Sequence, residues 1–395
     1  MKKIVVNRFK AYRKFRWHAS DYLWSEKNRY LKYYNIDVQV ESNECCDILV
    51  SPCPHLPNHE DFVHRDDGLD IPVGHRGLLD YSSTPVVLDS SLDYAQLDLS
   101  VRDLLHYPQV KALLPNVSFR ESIVQQRQSW GGGYYGHVIS SQFFNNSSPS
   151  SRLEREPLLP EVSKKIKEVY RPPFKPFTDE LFKYIAANSK PLKQRQIDLF
   201  FGGRVDYPSG NQNYPTLHRN LFLKTWPSLP GNKFLLSYSH QNGEGRNAIK
   251  GLDYPKDYVN ALLNSKCVVS PWGWGAWCIR DIEALACGCL VLKPYCGNTL
   301  IYPDIYNPKN QFFVWTDVQF KNLKKQLLFC YANLEKLQER VLAGQRFVFE
   351  HLYPNDKLYS YWTSKTRKIL EESLSHDCSL AEDIPRYRDN FNVVR

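Results

Sequence analysis

The residues best placed to do chemistry lie between Ser265 and Leu292. There the chain runs through Lys266-Cys267-Val268-Val269-Ser270-Pro271, then Trp272-Gly273-Trp274-Gly275-Ala276-Trp277, then Arg280-Asp281-Ile282-Glu283-Ala284, and returns through Gly288-Cys289-Leu290-Val291-Leu292. Read physically, this is a strand, a glycine-bearing loop, a helix start and a return strand. Glycines in such a loop let backbone amides approach a ligand closely, and the helix N-terminus behind them favours negative charge, a standard arrangement for phosphate. Arg280 adds a bidentate donor. Glu283, three residues on and therefore on the same helix face, is placed to accept hydrogen bonds from vicinal sugar hydroxyls. Arginine for phosphate and glutamate for ribose together suit a nucleotide.

The elements that must position these residues repeat in a regular order. Ile197-Asp198-Leu199-Phe200-Phe201 reads as a strand ended by Gly202-Gly203-Arg204, and Lys233–Tyr238 and Lys266–Ser270 as two more, with helical stretches near Leu217–Thr225 and Pro255–Asn264. A helix over Ile279–Cys287 and strands at Cys289–Leu292 and Phe312–Trp315 follow, then a mostly helical tail over Val318–His351 and Asp356–Leu374. Strand, helix, strand in this rhythm predicts a doubly wound parallel sheet, with its ligand crevice at the carboxyl ends of the strands. The first half reads similarly but less clearly. Lys3–Asn7, Cys46–Pro52 and Pro85–Asp89 are compact apolar strands, Ala19–Tyr34 has near-helical spacing, and Cys53–Ser83 is a long polar loop. A triple glycine at Gly131–Gly133, a Ser/Asn/Pro-rich run at Asn145–Arg152 and the stiff Tyr170–Pro176 segment precede a helix at Asp179–Ala187, which places a domain boundary near residue 190.

Composition limits the alternatives. The chain has 395 residues and 51 Lys plus Arg against 42 Asp plus Glu, a net +9, with 42% hydrophobic and 14% aromatic residues. That is enough apolar material for two cores and excludes bulk disorder. No run approaches the roughly 20 apolar residues of a membrane span, and the N-terminus lacks a signal-like apolar core, so a soluble, cytoplasmic protein without a transmembrane segment is expected. Six of the ten cysteines fall between Cys267 and Cys330 among apolar residues and read as buried thiols. Cys53, His55, His59 and His64 are the nearest approach to a metal cluster, and their spacing matches no zinc pattern. The sequons at Asn116, Asn145 and Asn146 carry little without a secretory signal.

The Ser265–Leu292 segment resembles the donor-site signature of GT-B glycosyltransferases, particularly exostosin-like enzymes. It carries the strand ending in Ser270-Pro271, the glycines Gly273 and Gly275, the Arg280-x-x-Glu283-Ala284 motif, and the small-residue turn before Leu290-Val291-Leu292. The resemblance covers about residues 197 to 300, where Phe200–Arg204 is also similar to the first strand and phosphate-facing loop of such donor domains; over the first half it is topological only. It implies two Rossmann-like α/β domains facing a cleft: an acceptor domain over 1–190, a donor domain over 191–350, and a tail over 351–395 crossing back to the first domain, with the aromatic Tyr359–Trp362 stretch as its contact. It further implies transfer of a sugar from a UDP- or GDP-sugar to an acceptor hydroxyl on a glycan, with no metal and no stable nucleic-acid partner. Donor contacts fall on Gly202, Gly203, Arg204, Tyr238, Ser239, Trp272, Gly273, Trp274, Gly275, Arg280 and Glu283. Many relatives of the retaining branch carry a second glutamate eight positions ahead of the first; here that position is Gly275.

Inversion needs a general base on the acceptor hydroxyl. His18, Asp21, His75 and Asp89 are the candidates, each at the end of an expected strand or in a loop that can face the cleft. Two other classes compete. A transferase acting on modified bases of nucleic acid fits the +9 charge and the aromatics, but the basic residues are dispersed without one dense patch. A non-catalytic sugar- or nucleotide-binding module fits the missing second glutamate.

Overall fold

The computed structural model describes residues 2–8, 23–24, 28–40, 45–52, 62–64, 70–72, 84–89, 105, 108–115, 118–119, 161, 164–167, 178–205, 214–239, 256–273, 277–297, 299–354 and 356–375. In the first half, β1 (Ile4–Arg8), a short α1 (Tyr30–Tyr33), β2 (Ile36–Val40) and β3 (Ile48–Pro52) are followed by an antiparallel pair, β4 (Phe62–His64) and β5 (Asp70–Pro72). Then come β6 (Val86–Asp89) and β7 (Val110–Leu114). The main sheet is parallel throughout, in the order β2-β1-β3-β6-β7. Of the helix expected over Ala19–Tyr34, the described residues retain its last turn as α1. β2 and β7 are strands that the sequence reading did not anticipate.

The second half opens with α2 (Asp179–Asn188), whose N-cap Thr178 accepts the Leu181 amide at 3.3 Å. It continues through β9 (Ile197–Arg204), α3 (Tyr214–Thr225), β10 (Phe234–Ser239), α4 (Lys256–Leu263), β11 (Ser265–Val269), α5 (Ile279–Ala286) and β12 (Leu290–Pro294). This sheet is also parallel, in the order β10-β9-β11-β12-β14, where β14 is Phe313–Thr316. Numbering each sheet's strands from its own start gives 2-1-3-4-5 in both. The two halves therefore share a doubly wound, Rossmann-like α/β architecture without sharing sequence. β11 and β12 are buried because helices cover both sheet faces: one core cluster joins Phe200, Val268 and Val291 to α4 and α5, and another joins Leu199, Phe201, Val269 and Leu292 to α3 and α6 (Leu323–Ala332).

Among the described residues, two connections join the halves. β8 (Ser118–Phe119), four residues beyond the end of β7, pairs antiparallel with β13 (Thr299–Leu300), five residues beyond the end of β12. Connections this short tether the carboxyl end of one sheet to the carboxyl end of the other. The second is helical. After α7 (Leu334–Leu352), α8 (Asp356–Ser375) packs on the first sheet: Trp362, fully buried, meets Trp24 edge-on at 4.8 Å, in a cluster with Ile4, Val6, Ile48 and Val87. Polar contacts fix the register of that helix. The Asn28 amide donates to Thr363 Oγ1 at 2.9 Å, and Arg367 donates to the carbonyls of Asn35 and Lys2 at 3.1 and 2.7 Å.

Candidate functional site

In a 2-1-3-4-5 sheet the chain leaves the first strand toward one side and the third toward the other, opening a crevice between their carboxyl ends. In the second sheet those strands are β9 and β11. Gly202, Gly203 and Arg204 are the last three residues of β9 rather than the turn after it, and they pair with Ser237, Tyr238 and Ser239 of β10. At Gly203, with φ +156°, a side chain would collide with Arg280. A Cβ there would lie 2.0 Å from Nη2 of Arg280, whose guanidinium lies against this backbone and 5.0 Å from the ring of Phe201.

Arg280 begins α5 and is 7% exposed, yet its Nε and Nη1 have no hydrogen-bond partner in the protein. Arg195, equally buried, instead donates to the carbonyls of Lys190, Ser265 and Cys287, each at 2.9 Å. Burial opposes the charge of Arg280, but Tyr258, Cys278, Glu283 and Asp281 together hold its pKa above the usual arginine value, so the cation persists.

Glu283 lies one turn on, 3% exposed, and accepts a hydrogen bond from Tyr258 Oη at 2.9 Å. Tyr258, on α4, also closes over the backbone of β9: a Cβ at Gly202 would meet its ring at 3.1 Å and that of Phe200 at 2.6 Å. Arg280 and Tyr258 thus lie against consecutive glycines at one strand end, and Glu283 is tied to that place through Tyr258. Tyr258 was not singled out from sequence, because its position is set by α4 packing and no local motif marks it.

The loop after β11 is held from α3. Trp272 N–H donates to His218 Nδ1 at 3.1 Å, Arg219 Nε donates to Trp272 O at 3.3 Å, and a Cβ at Gly273 would lie 3.3 Å from Arg219 Nη2. The Trp272 ring faces inward, 1% exposed, with its indole N–H on Pro294 O at 3.3 Å. The ring thus fills the core, and Trp272, expected among the donor contacts, meets the loop through its backbone. His218 and Arg219 were missed in the sequence because nothing in an ordinary amphipathic helix distinguishes them.

Beneath Arg280 lies a buried ion pair. Lys293 Nζ of β12 is 2.8 Å from Asp281 Oδ2, with both side chains fully buried, and Tyr306 Oη donates to the same carboxylate. Asp281 Oδ2 also accepts the Cys278 amide at 3.0 Å, which fixes the first turn of α5. Burial would lower the Lys293 pKa, but Asp281, with Cys278 and Cys296, more than compensates and raises it, so the ammonium keeps its charge.

Of the remaining expected residues, Asp89 ends β6 at 2% exposure and accepts Trp24 Nε1 at 3.0 Å. This carboxylate anchors a core indole. His18, Asp21, His75, Trp274 and Gly275 lie outside the described residues, as do Cys53, His55 and His59, and the side chains of Arg204, Tyr238, Ser239 and His64 are likewise outside them. Among the described residues no three His, Cys, Asp or Glu side chains are grouped to hold a metal, and no helix is long and apolar enough to cross a membrane. Of the six cysteines expected to be buried thiols, Cys267, Cys287, Cys289, Cys296 and Cys330 are buried and free, whereas Cys278 is free but half-buried.

No family model and no curated protein matches the chain. Solved structures similar to it include the glycotransferase of kitacinnamycin, 9% identical over 95% of this chain and 100% of that one with a TM-score of 0.38. An α1,3-fucosyltransferase is 15% identical over 95% and 92% with a TM-score of 0.39, and the wall teichoic acid polymerase TagF is 10% identical over 94% and 90% with a TM-score of 0.33. Likenesses this loose carry no functional argument, which rests instead on the residues of the site.

Proposed function

We propose that the chain is a glycosyltransferase of the GT-B type that takes a sugar from a UDP- or GDP-sugar and transfers it to a hydroxyl of a glycan acceptor. Residues 191–350 hold the donor, and residues 1–190 hold the acceptor and supply the base from among His18, Asp21, His75 and Asp89. The observation that carries this reading is the buried, charged Arg280 with two unpartnered guanidinium nitrogens, Nε and Nη1, at the β9/β11 switch point. A buried cation without hydrogen-bond acceptors is costly, and a diphosphate supplies them. As the bond to the sugar breaks, negative charge accumulates on the leaving diphosphate, where Arg280 and the first amides of α5 are already oriented to stabilise it. This charge complement lets the reaction proceed without a divalent cation. Glu283, oriented by Tyr258, accepts from the ribose hydroxyls, as the exostosin-like resemblance implies.

A thermal-shift screen against UDP, GDP and their sugars in EDTA tests the reading. A ligand at a hundredfold excess over its Kd stabilises by about 2.7 kcal/mol. Glu283→Ala is expected to raise that Kd about tenfold or more while leaving the affinity for a 2′,3′-dideoxy analogue unchanged. Equal loss for both ligands would remove Glu283 from the ribose.

A further inference from the structure

His218 belongs to no sequence motif and touches none of the expected donor groups through its own exposed surface, because it has none: the side chain is fully buried. Its ring lies between two others, stacked on Phe320 at 4.9 Å and tilted against Trp272 at 5.2 Å. Both nitrogens are used. Nε2 is 2.9 Å from Val318 O, and Nδ1 is 3.1 Å from Trp272 N. A carbonyl can only accept and an amide can only donate, so these partners require the neutral ring protonated on Nε2. Burial, with Lys293 and Arg219 adding positive charge nearby, keeps the ring neutral in agreement with that geometry.

One imidazole therefore joins three elements at the rim of the site: α3, the loop after β11, and the turn after β14. The next residue grips the other side of the same peptide, since Arg219 Nε donates to Trp272 O. Trp272 is thus held through its amide, its carbonyl and its indole, while Cys278 Sγ lies 3.3 Å from Pro271 O. The segment so fixed leads directly into Gly273 and, past it, to Arg280. Loops that must present groups to an anion bind better when they need no ordering on ligand arrival.

We infer that His218 is a positioning residue that pre-sets the Pro271–Gly273 backbone for the donor through its Nδ1 acceptor. The inference rests on the nucleotide-sugar reading above. It specifies that His218 acts on donor affinity and not on the chemical step, and that its neutral Nε2–H tautomer is the working form.

Two substitutions separate the acceptor from the ring. His218→Phe keeps an aromatic ring between Phe320 and Trp272 and removes both nitrogens; His218→Asn loses the ring but places Oδ1 where Nδ1 stands. With UDP and GDP as probes, His218→Phe is expected to raise Kd and donor KM about tenfold with kcat unchanged at saturating donor, and His218→Asn to stay within about threefold of wild type. Affinity within twofold of wild type in His218→Phe, or His218→Asn weakened as much as His218→Phe, would overturn the inference. If wild type binds neither nucleotide, the nucleotide-sugar reading fails instead. Ring ¹⁵N shifts of the wild-type protein at pH 7 decide the tautomer even if neither variant folds: Nε2–H with bare Nδ1 is expected, and a charged or Nδ1–H ring would overturn it.

Discussion

Lys293→Met is expected to cost about 3–5 kcal/mol of stability, a large share of the roughly 5–15 kcal/mol that holds a typical fold together. The variant keeps side-chain length, so little of this is cavity. What it removes is the countercharge of Asp281, whose Oδ1 is already buried without a hydrogen-bond partner and whose Oδ2 lies 2.8 Å from Lys293. A carboxylate left alone there must either remain charged in an apolar core or take up a proton. The double variant Asp281→Asn, Lys293→Met removes both charges and is expected to recover part of the loss, because neutral groups of similar size are tolerated where one charge is not. Urea denaturation of the four proteins measures the coupling. A single-variant cost below about 1 kcal/mol would mean that water or another group compensates Asp281. The pair also has a functional consequence, since Asp281 pins the Cys278 amide and so sets the direction in which α5 presents Arg280.

Arg280→Ala is expected to weaken binding of a nucleoside diphosphate by about two orders of magnitude, the loss of two charge-assisted hydrogen bonds of roughly 1.5–3 kcal/mol each, partly offset by water entering the vacated space. Arg280→Lys should recover little of it, since an ammonium cannot reproduce the planar fork of Nε and Nη1. The ligand-free stability of Arg280→Ala is expected to fall, because the substitution removes a cation that the buried carboxylates of Glu283 and Asp281 favour, although its Nε and Nη1 lack hydrogen-bond partners. Gly203→Ala supplies an independent route to the same defect. Its Cβ would sit 2.0 Å from Nη2, so the guanidinium must move away from the strand end, and diphosphate affinity should fall with Arg280 still present. Calorimetry with each variant, alongside its melting temperature, separates a lost ligand contact from a damaged fold.

Much of the second half was legible in the sequence because its strands are short apolar runs covered on both faces and its helices carry regular apolar spacing. β9, β11, β12, β14 and α5 all fall within a few residues of where that pattern puts them. The first half was less legible for a physical reason. β2, Ile36-Asp37-Val38-Gln39-Val40, is an edge strand whose alternating polar residues dilute its apolar signal, and β7, Val110-Lys111-Ala112-Leu113-Leu114, is the opposite edge and reads equally well as a helical turn. Within the site, Arg280 and Glu283 were visible because both belong to one contiguous motif. Tyr258, His218 and Arg219 reach the same place from α3 and α4 by tertiary packing, which leaves no local trace. The burial of Trp272 left no local trace either, because nothing in an aromatic beside glycines shows that β11 delivers its ring inward to Pro294 and His218.

Calorimetric titration of the wild-type protein with UDP, GDP and the matching monophosphates, in EDTA, addresses the Arg280 site most directly. The expected result is saturable binding of one nucleoside diphosphate, at least about tenfold tighter than its monophosphate because the second phosphate takes up the free guanidinium N–H groups. Absence of saturable binding by any of these ligands at millimolar concentration, or equal affinity for diphosphate and monophosphate, would contradict it.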